Sequence, residues 1–246
     1  MDRFLYTAMT GAKQSQLQLA TVSHNLANAS TTGFRAELAA FRAVPVVGGA
    51  GLPTQAFVVE QSIGSDMRSG PLQHTGNDLD VAVDGSGWLT VQTASGEAYS
   101  RNGELAIDAT GLLKTRSGQI VQGESGPLTV PENNRVSVAE DGTVTGIAMD
   151  NPTQRVEIGK IKLVNPAASQ LEKGSDGLFR LRNGQPAQAD QNVKLVSGSL
   201  EGSNVNTVDE LVSMIATQRH YDLQIKLMQT ADQNSRSAEQ ILTLNG

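Results

Sequence analysis

Three histidines, a set of neighbouring acids and one serine are the residues of this chain whose types suit catalysis. A metal enzyme would place two histidines one helical turn apart, and a serine hydrolase would set its nucleophile on a Gly-x-Ser-x-Gly elbow. His24, His74 and His220 stand far apart, and no His-x-x-x-His pair exists. Ser203 lies in Gly-Ser-Asn, without the elbow. Asp78, Asp80, Asp84, Glu140 and Asp141 fall at turns, where such side chains bond their own backbone, and we read them as turn acids rather than general acids. The run Gly48-Gly49-Ala50-Gly51 has the composition of a phosphate cradle, but Pro53 and a β-like stretch follow it instead of a helix N-terminus, so it reads as a flexible linker. Asn28-Ala29-Ser30 fits a glycosylation acceptor, a pattern too short to carry weight in a chain without a secretory signal. No catalytic residue, metal ligand, cofactor or small-molecule substrate is therefore expected.

Composition excludes further classes. The chain has 246 residues, 25 glycines, 4% aromatics and no cysteine, which makes a thin core for one globule and rules out a disulfide framework. One β domain with non-globular ends fits better. Nineteen basic against 25 acidic residues, with no basic run, disfavour nucleic acid and anionic lipid as partners. No stretch approaches the roughly 20 apolar residues of a membrane span, so stable membrane insertion is not expected. Asp2, Arg3 and the polar stretch from Lys13 to Gln18 leave no apolar core for a cleaved signal peptide.

The elements that would position any site are legible from periodicity. Leu5, Ala8, Met9, Ala12, Leu19, Val22 and Leu26 recur at near-helical spacing and predict a helix over residues 2 to about 28. The stretch from Asn28 to Gly33 closes it, because asparagine, serine and threonine bond locally to backbone and glycine accepts positive φ. Residues 35–76 read as short extended pieces around the linker. Turn dipeptides at Asp84-Gly85, Ser95-Gly96, Asn102-Gly103, Thr110-Gly111, Ser117-Gly118, Asp141-Gly142, Asp176-Gly177 and Asn183-Gly184 punctuate short apolar runs and predict an antiparallel meander, anchored by the single Trp88. A parity change at Gly159-Lys160 predicts a bulge or bend. Asn206 or Thr207 as N-cap, with Asp209 and Glu210 behind it, opens a second helix over about 206–243. Its apolar residues form two adjoining stripes. Val208, Val212, Ile215, Leu223, Leu227, Ala231, Ala238 and Ile241 lie on one, and Leu211, Met214, Ile225, Met228 and Leu242 on the other. That surface is wider than a two-stranded seam requires, so it must meet more than one partner.

Asn25-Leu26-Ala27-Asn28 with Thr31-Thr32-Gly33-Phe34-Arg35 near one end, and Leu200-Glu201-Gly202-Ser203-Asn204-Val205 followed by Met214-Ile215-Ala216-Thr217-Gln218-Arg219-His220-Tyr221 near the other, resemble the motifs of the bacterial flagellar rod and hook proteins. Thr32 stands where many relatives carry proline. Thr217, His220, Asp222 and Gln224 replace residues common in the distal rod and hook, which weakens a distal assignment but not membership.

The resemblance implies an α+β fold: long N- and C-terminal helices forming a coiled-coil-like bundle, with a central antiparallel β domain. The expected division is 1–34 N-terminal helix, 35–76 extended linker, 77–185 central β domain, 186–205 return linker and 206–246 C-terminal helix. It implies a structural subunit of the proximal rod that assembles with other rod subunits to transmit torque. Such a subunit is passed by the flagellar export apparatus without a cleaved signal and resides in the periplasmic rod. Asn25, Leu26, Asn28, Thr31, Gly33 and Phe34 would fix the chain's exit from the first helix, and Leu200, Glu201, Ser203, Asn204 and Val205 its return. Leu211, Met214, Ile215, Gln218, Arg219 and Tyr221 would make subunit contacts. Two alternatives remain open at this point: a distal rod or hook subunit of the same family, or a self-contained β-domain hydrolase or ligand-binding protein whose terminal helices dock on its own body.

Overall fold

The computed structural model describes residues 2–39, 41–45, 56–60, 64–149, 153 and 155–244. The fold is α+β, with a long helix at each end of the chain and a β-rich middle. Two compact units result: Met1–Ala27 with Glu37–Ser65 and Asn206–Gly246, and Asn28–Ala36 with Asp66–Val205.

The first unit holds the helices α1 (Asp2–Ala27) and α2 (Thr207–Leu244), which pack along each other. Asn206 is the residue that starts α2. Its Oδ1 accepts the Val208 N–H at 3.1 Å and its carbonyl accepts the Glu210 N–H at 3.0 Å, while Asp209 and Glu210 set negative charge against the positive end of the helix dipole. α1 turns Ala8, Ala12 and Val22 inward. Small residues let the backbones approach: a side chain at Gly11 would stand 3.0 Å from the Gln224 amide. Two antiparallel pairings complete the unit, Glu37–Leu38 with Gly64–Ser65 and Phe41–Pro45 with Ala56–Glu60. The glycine-rich run 48–51 lies outside the described residues.

In the second unit every strand pair is antiparallel, but the order is not that of a meander. Trp88–Thr93 pairs with Gly96–Ser100 as a local hairpin, yet its other edge takes Ile120–Gly123. Gly96–Ser100 takes Phe179–Leu181, Val81–Asp84 takes Lys194–Ser197, and Leu72–His74 takes Ser199–Glu201. Strands this short leave edge groups open, and returning segments satisfy them where a simple up-and-down path would leave them to solvent. The last strands thereby come back beside the first, which brings the Asn28–Ala36 loop next to residues 199–205.

The main core gathers Val81, Leu89, Leu113, Val121, Val144 and Ile161. A smaller one surrounds Trp88 with Tyr99, Val164, Leu171 and Phe179, the Trp88 and Phe179 rings lying 4.6 Å apart at 45°. The parity change at Gly159-Lys160 is a bulge: Val144 faces Gly159 and Thr145 faces Glu157, leaving Ile158 as the extra residue. At Asn102-Gly103 the glycine serves close approach rather than left-handed backbone, since a Cβ there would meet the Val81 carbonyl oxygen at 1.7 Å.

Candidate assembly site

The residues expected to guide the chain out of α1 and back toward α2 meet within the β unit. Thr31 N–H bonds the Asn28 carbonyl at 3.1 Å, Phe34 N–H bonds the Thr31 carbonyl, and Gly33 sits between them at φ 69°. The Gly33 N–H donates to the Glu201 carbonyl at 2.7 Å, and a Cβ on Gly33 would lie 2.3 Å from the Arg101 carbonyl carbon. Asn204 acts as a clamp. Its Oδ1 accepts the Ala36 N–H at 2.7 Å and its Nδ2 donates to the carbonyls of Asp66 and Arg68, both at 2.9 Å. The buried Ser203 accepts the Val205 N–H on its Oγ, and Leu200 pairs with Gln73 across the final strand. Phe34 lies under Lys173, whose Nζ is 4.1 Å from the ring centroid and donates to the Arg35 carbonyl.

At the centre of this crossing is an ion triad. Glu201 Oε1 accepts from Arg35 Nη1 at 2.7 Å and from the Gly70 N–H at 2.8 Å, and Oε2 accepts from Arg101 Nη1 at 2.9 Å. All three side chains are buried. Trp88 offers its ring to both guanidiniums, with Arg101 Cζ 5.2 Å and Arg35 Cζ 5.9 Å from the centroid. Burial pulls the Arg101 pKa below its ordinary value; Glu201 opposes this and Arg35 adds to it. One carboxylate thus serves two cations. Arg35 Nε and Nη2 and Arg101 Nε have no hydrogen-bond partner among the described residues.

In the helix unit the corresponding junction is Asn25, which is 2% exposed. Its Oδ1 accepts the Glu37 N–H at 2.8 Å, and its Nδ2 donates to the Glu37 carbonyl at 3.0 Å and to Glu210 Oε1 at 2.9 Å. One amide therefore fixes the end of α1 to the strand that follows it and to the first turn of α2. Leu26, the next residue, is half-buried.

The remaining candidates lie on α2, whose two sides are used in an unexpected way. Met214, Tyr221, Ile225 and Met228 are half-buried beside the fully buried Thr217 and Ala231. The opposite side carries Val208, Leu211, Val212, Ile215, Leu223 and Leu227, exposed by between 44% and 65%. Gln218 and Arg219 are exposed as well. Both expected stripes are thus divided: Ala231 of the first packs inside the unit with Met214, Ile225 and Met228 of the second, while Leu211 of the second faces out with the larger aliphatic residues of the first; the side chains of Ala238, Ile241 and Leu242 lie outside the described residues. Mean hydropathy and periodicity locate such stripes but do not say which of them a partner helix takes.

Arg35 and Arg101 are the residues that sequence reasoning did not assign to the site. Arg35 was visible within the Thr-x-Gly-Phe-Arg motif, and Arg101 reads as turn chemistry in Tyr99-Ser100-Arg101-Asn102-Gly103. The available signal was Glu201, an acid inside a short β run with no cation near it in sequence. Among the described residues no group of three or more histidines, cysteines or acids is placed to hold a metal ion. No described helix is long and apolar enough to cross a membrane.

Residues 5–35 match the family model for flagella basal body rod protein, residues 82–146 that for the flagellar hook protein FlgE/F/G D1 domain, and residues 196–241 that for the flagellar basal body rod FlgEFG protein C-terminal region. The chain is 44% identical to the flagellar basal-body rod protein FlgF of Escherichia coli K12 and 42% identical to that of Salmonella typhimurium, each over 100% of both chains. It is 32% identical to FlgF of Caulobacter vibrioides over 97% of both. With the rod motifs at both ends joined through one crossing and full-length identity at this level, the chain belongs to the FlgF family of flagellar basal-body rod proteins.

Proposed function

We propose that this chain is a structural subunit of the proximal rod, joined to neighbouring rod subunits through α1 and α2. The observation that carries this reading is the outward face of α2. Fully burying one Val, Leu or Ile side chain is worth about 1.5–3 kcal/mol, and a soluble monomer has little reason to leave six of them on one helix face, even with Arg219, Asp222 and Lys226 among them. Tyr6, Met9 and Leu17 add exposed apolar area on α1. A head-to-tail interface that does not close by rotation extends into a helical tube, and such faces supply its inner packing as a coiled-coil-like bundle. Torque then passes through shared interfaces, with no reaction to catalyse. As a member of a family of structural rod proteins the chain is not an enzyme. The higher identity to FlgF relatives, 44% and 42% against 32% to FlgG of Bacillus subtilis, supports the proximal rod over the distal rod or hook. Passage through the flagellar export apparatus without a cleaved signal and residence in the periplasmic part of the basal body belong to the same reading.

The test is Ile215→Asp in cells that lack the native chain. Ile215 is 56% exposed in the isolated chain, so the substitution should leave folding intact, while in the rod it would bury a charge. Loss of the variant from isolated basal bodies, with an unchanged circular dichroism spectrum, is the expected result. Normal incorporation would refute the packing role given to α2.

A further inference from the structure

A cleft of about 580 Å³ opens on the β unit over the same tryptophan that covers the ion triad. Its lining includes the apolar Met67, Leu171 and Pro166 and the polar Arg68, Arg101 and Asn165, together with Trp88 and the Gly85–Gly87 segment. Two arginines line it, and no aspartate or glutamate does among the described residues. Arg101 is 96% buried; its Nη1 donates to Glu201, its Nη2 donates to the Gly85 carbonyl at 2.7 Å, and its buried Nε lacks a hydrogen-bond partner among the described residues, so its charge rather than a free donor acts on the cleft. Behind the cleft the charge is unbalanced. Three guanidiniums, of Arg35, Arg68 and Arg101, face two carboxylates, of Glu201 and Asp66, so one positive charge is left over. In a low-dielectric setting that excess attracts an anion more strongly than an exposed arginine would.

We propose that this cleft receives an acidic side chain, glutamate or aspartate, from an adjoining rod subunit. The apolar lining residues suit the methylene stem of such a side chain, and the arginines suit its carboxylate. A subunit of this kind has carboxylates to offer: the chain carries 25 acidic residues and a net charge of −6. The anion chemistry of the cleft stands on its own geometry, whereas the choice of a neighbouring subunit as occupant rests on the rod reading.

The chain supplies its own reporter, since Trp88 is its single tryptophan and lines the cleft. Purified protein is titrated with N-acetylglutamate amide and, at matched ionic strength, with N-acetylglutamine amide. A saturable change in Trp88 emission is expected from the glutamate compound, with the glutamine compound at least about tenfold weaker, the difference one charge-assisted contact makes. Equal curves, or no saturable change with either, would overturn the proposal. Ser69→Glu, at an exposed position on the cleft wall, places a carboxylate there without touching the core. It should abolish the titration and reduce incorporation into basal bodies. A variant that loses the titration but is incorporated normally would overturn the docking role while leaving the rod reading intact, because Ile215→Asp tests that reading independently.

Discussion

Arg35 Nη1 donates to Glu201 Oε1 at 2.7 Å, and solvent reaches neither side chain. These residues come from the two ends of the β unit's sequence, one just after the chain leaves α1 and the other just before it enters α2. With Arg101 on the second oxygen, a single carboxylate holds both passes of the chain to the β core. A buried ion pair adds little net stability over an apolar replacement, but breaking one is costly. Its effect here is on the path: neither pass can shift without stranding a charge.

Glu201→Gln removes the charge and leaves Arg35 and Arg101 buried together. The β unit should lose about 3–5 kcal/mol, read as a lower urea midpoint with an unchanged slope. An unaltered midpoint would show that the triad is replaceable.

Gly33→Ala tests the exit turn. Its φ of 69° and the 2.3 Å approach of a new Cβ to the Arg101 carbonyl carbon leave no room for a methyl group. Strain of about 1–2 kcal/mol from the backbone alone, plus the displacement of Arg101, should lower the thermal midpoint by several degrees. A midpoint equal to the parent's would contradict the turn geometry.

Asn25→Ala removes three hydrogen bonds made by one buried amide, two of them to the Glu37 backbone. The expected loss is about 1–3 kcal/mol, confined to the helix unit. Hydrogen exchange should speed up at the end of α1 and the start of α2, while the amides of the Trp88–Thr93 strand keep their protection.

Acid should weaken the β unit. The Asp108 carboxyl is held well below its ordinary range by Lys114 and Thr110, and the carboxyls of Asp141, Asp176 and Asp66 are lowered by Thr143, Arg180 and Arg68 respectively. A carboxyl whose folded pKa is depressed stabilises the fold above its unfolded value, about 4, and ceases to do so as the pH falls through the folded value. The urea midpoint should be level between about pH 7 and 5 and drop below about pH 4. A midpoint that rises on acidification would contradict these assignments.

By itself the sequence determined the local structure. The apolar spacing of residues 5–26 and the N-cap at Asn206 set the helices, and the turn dipeptides and the Gly159 parity change set the hairpins and the bulge. These are properties of neighbouring residues, and periodicity reports them directly. The motif residues of the crossing, Gly33, Glu201 and Asn204 among them, were also visible as a set, though not what each one touches. Only the tertiary structure decided the strand order, because pairings such as Phe179 with Tyr99 join distant segments that carry no mark of each other. Only it brought Arg101 to Glu201, since nothing near Arg101 in the chain distinguishes a buried cation from a turn residue. It also decided which side of α2 faces α1. A 3.6-residue repeat tells which residues share a face, but whether that face is buried depends on what packs against it. On this helix the small and mixed side is taken within the chain, and the aliphatic side is left exposed.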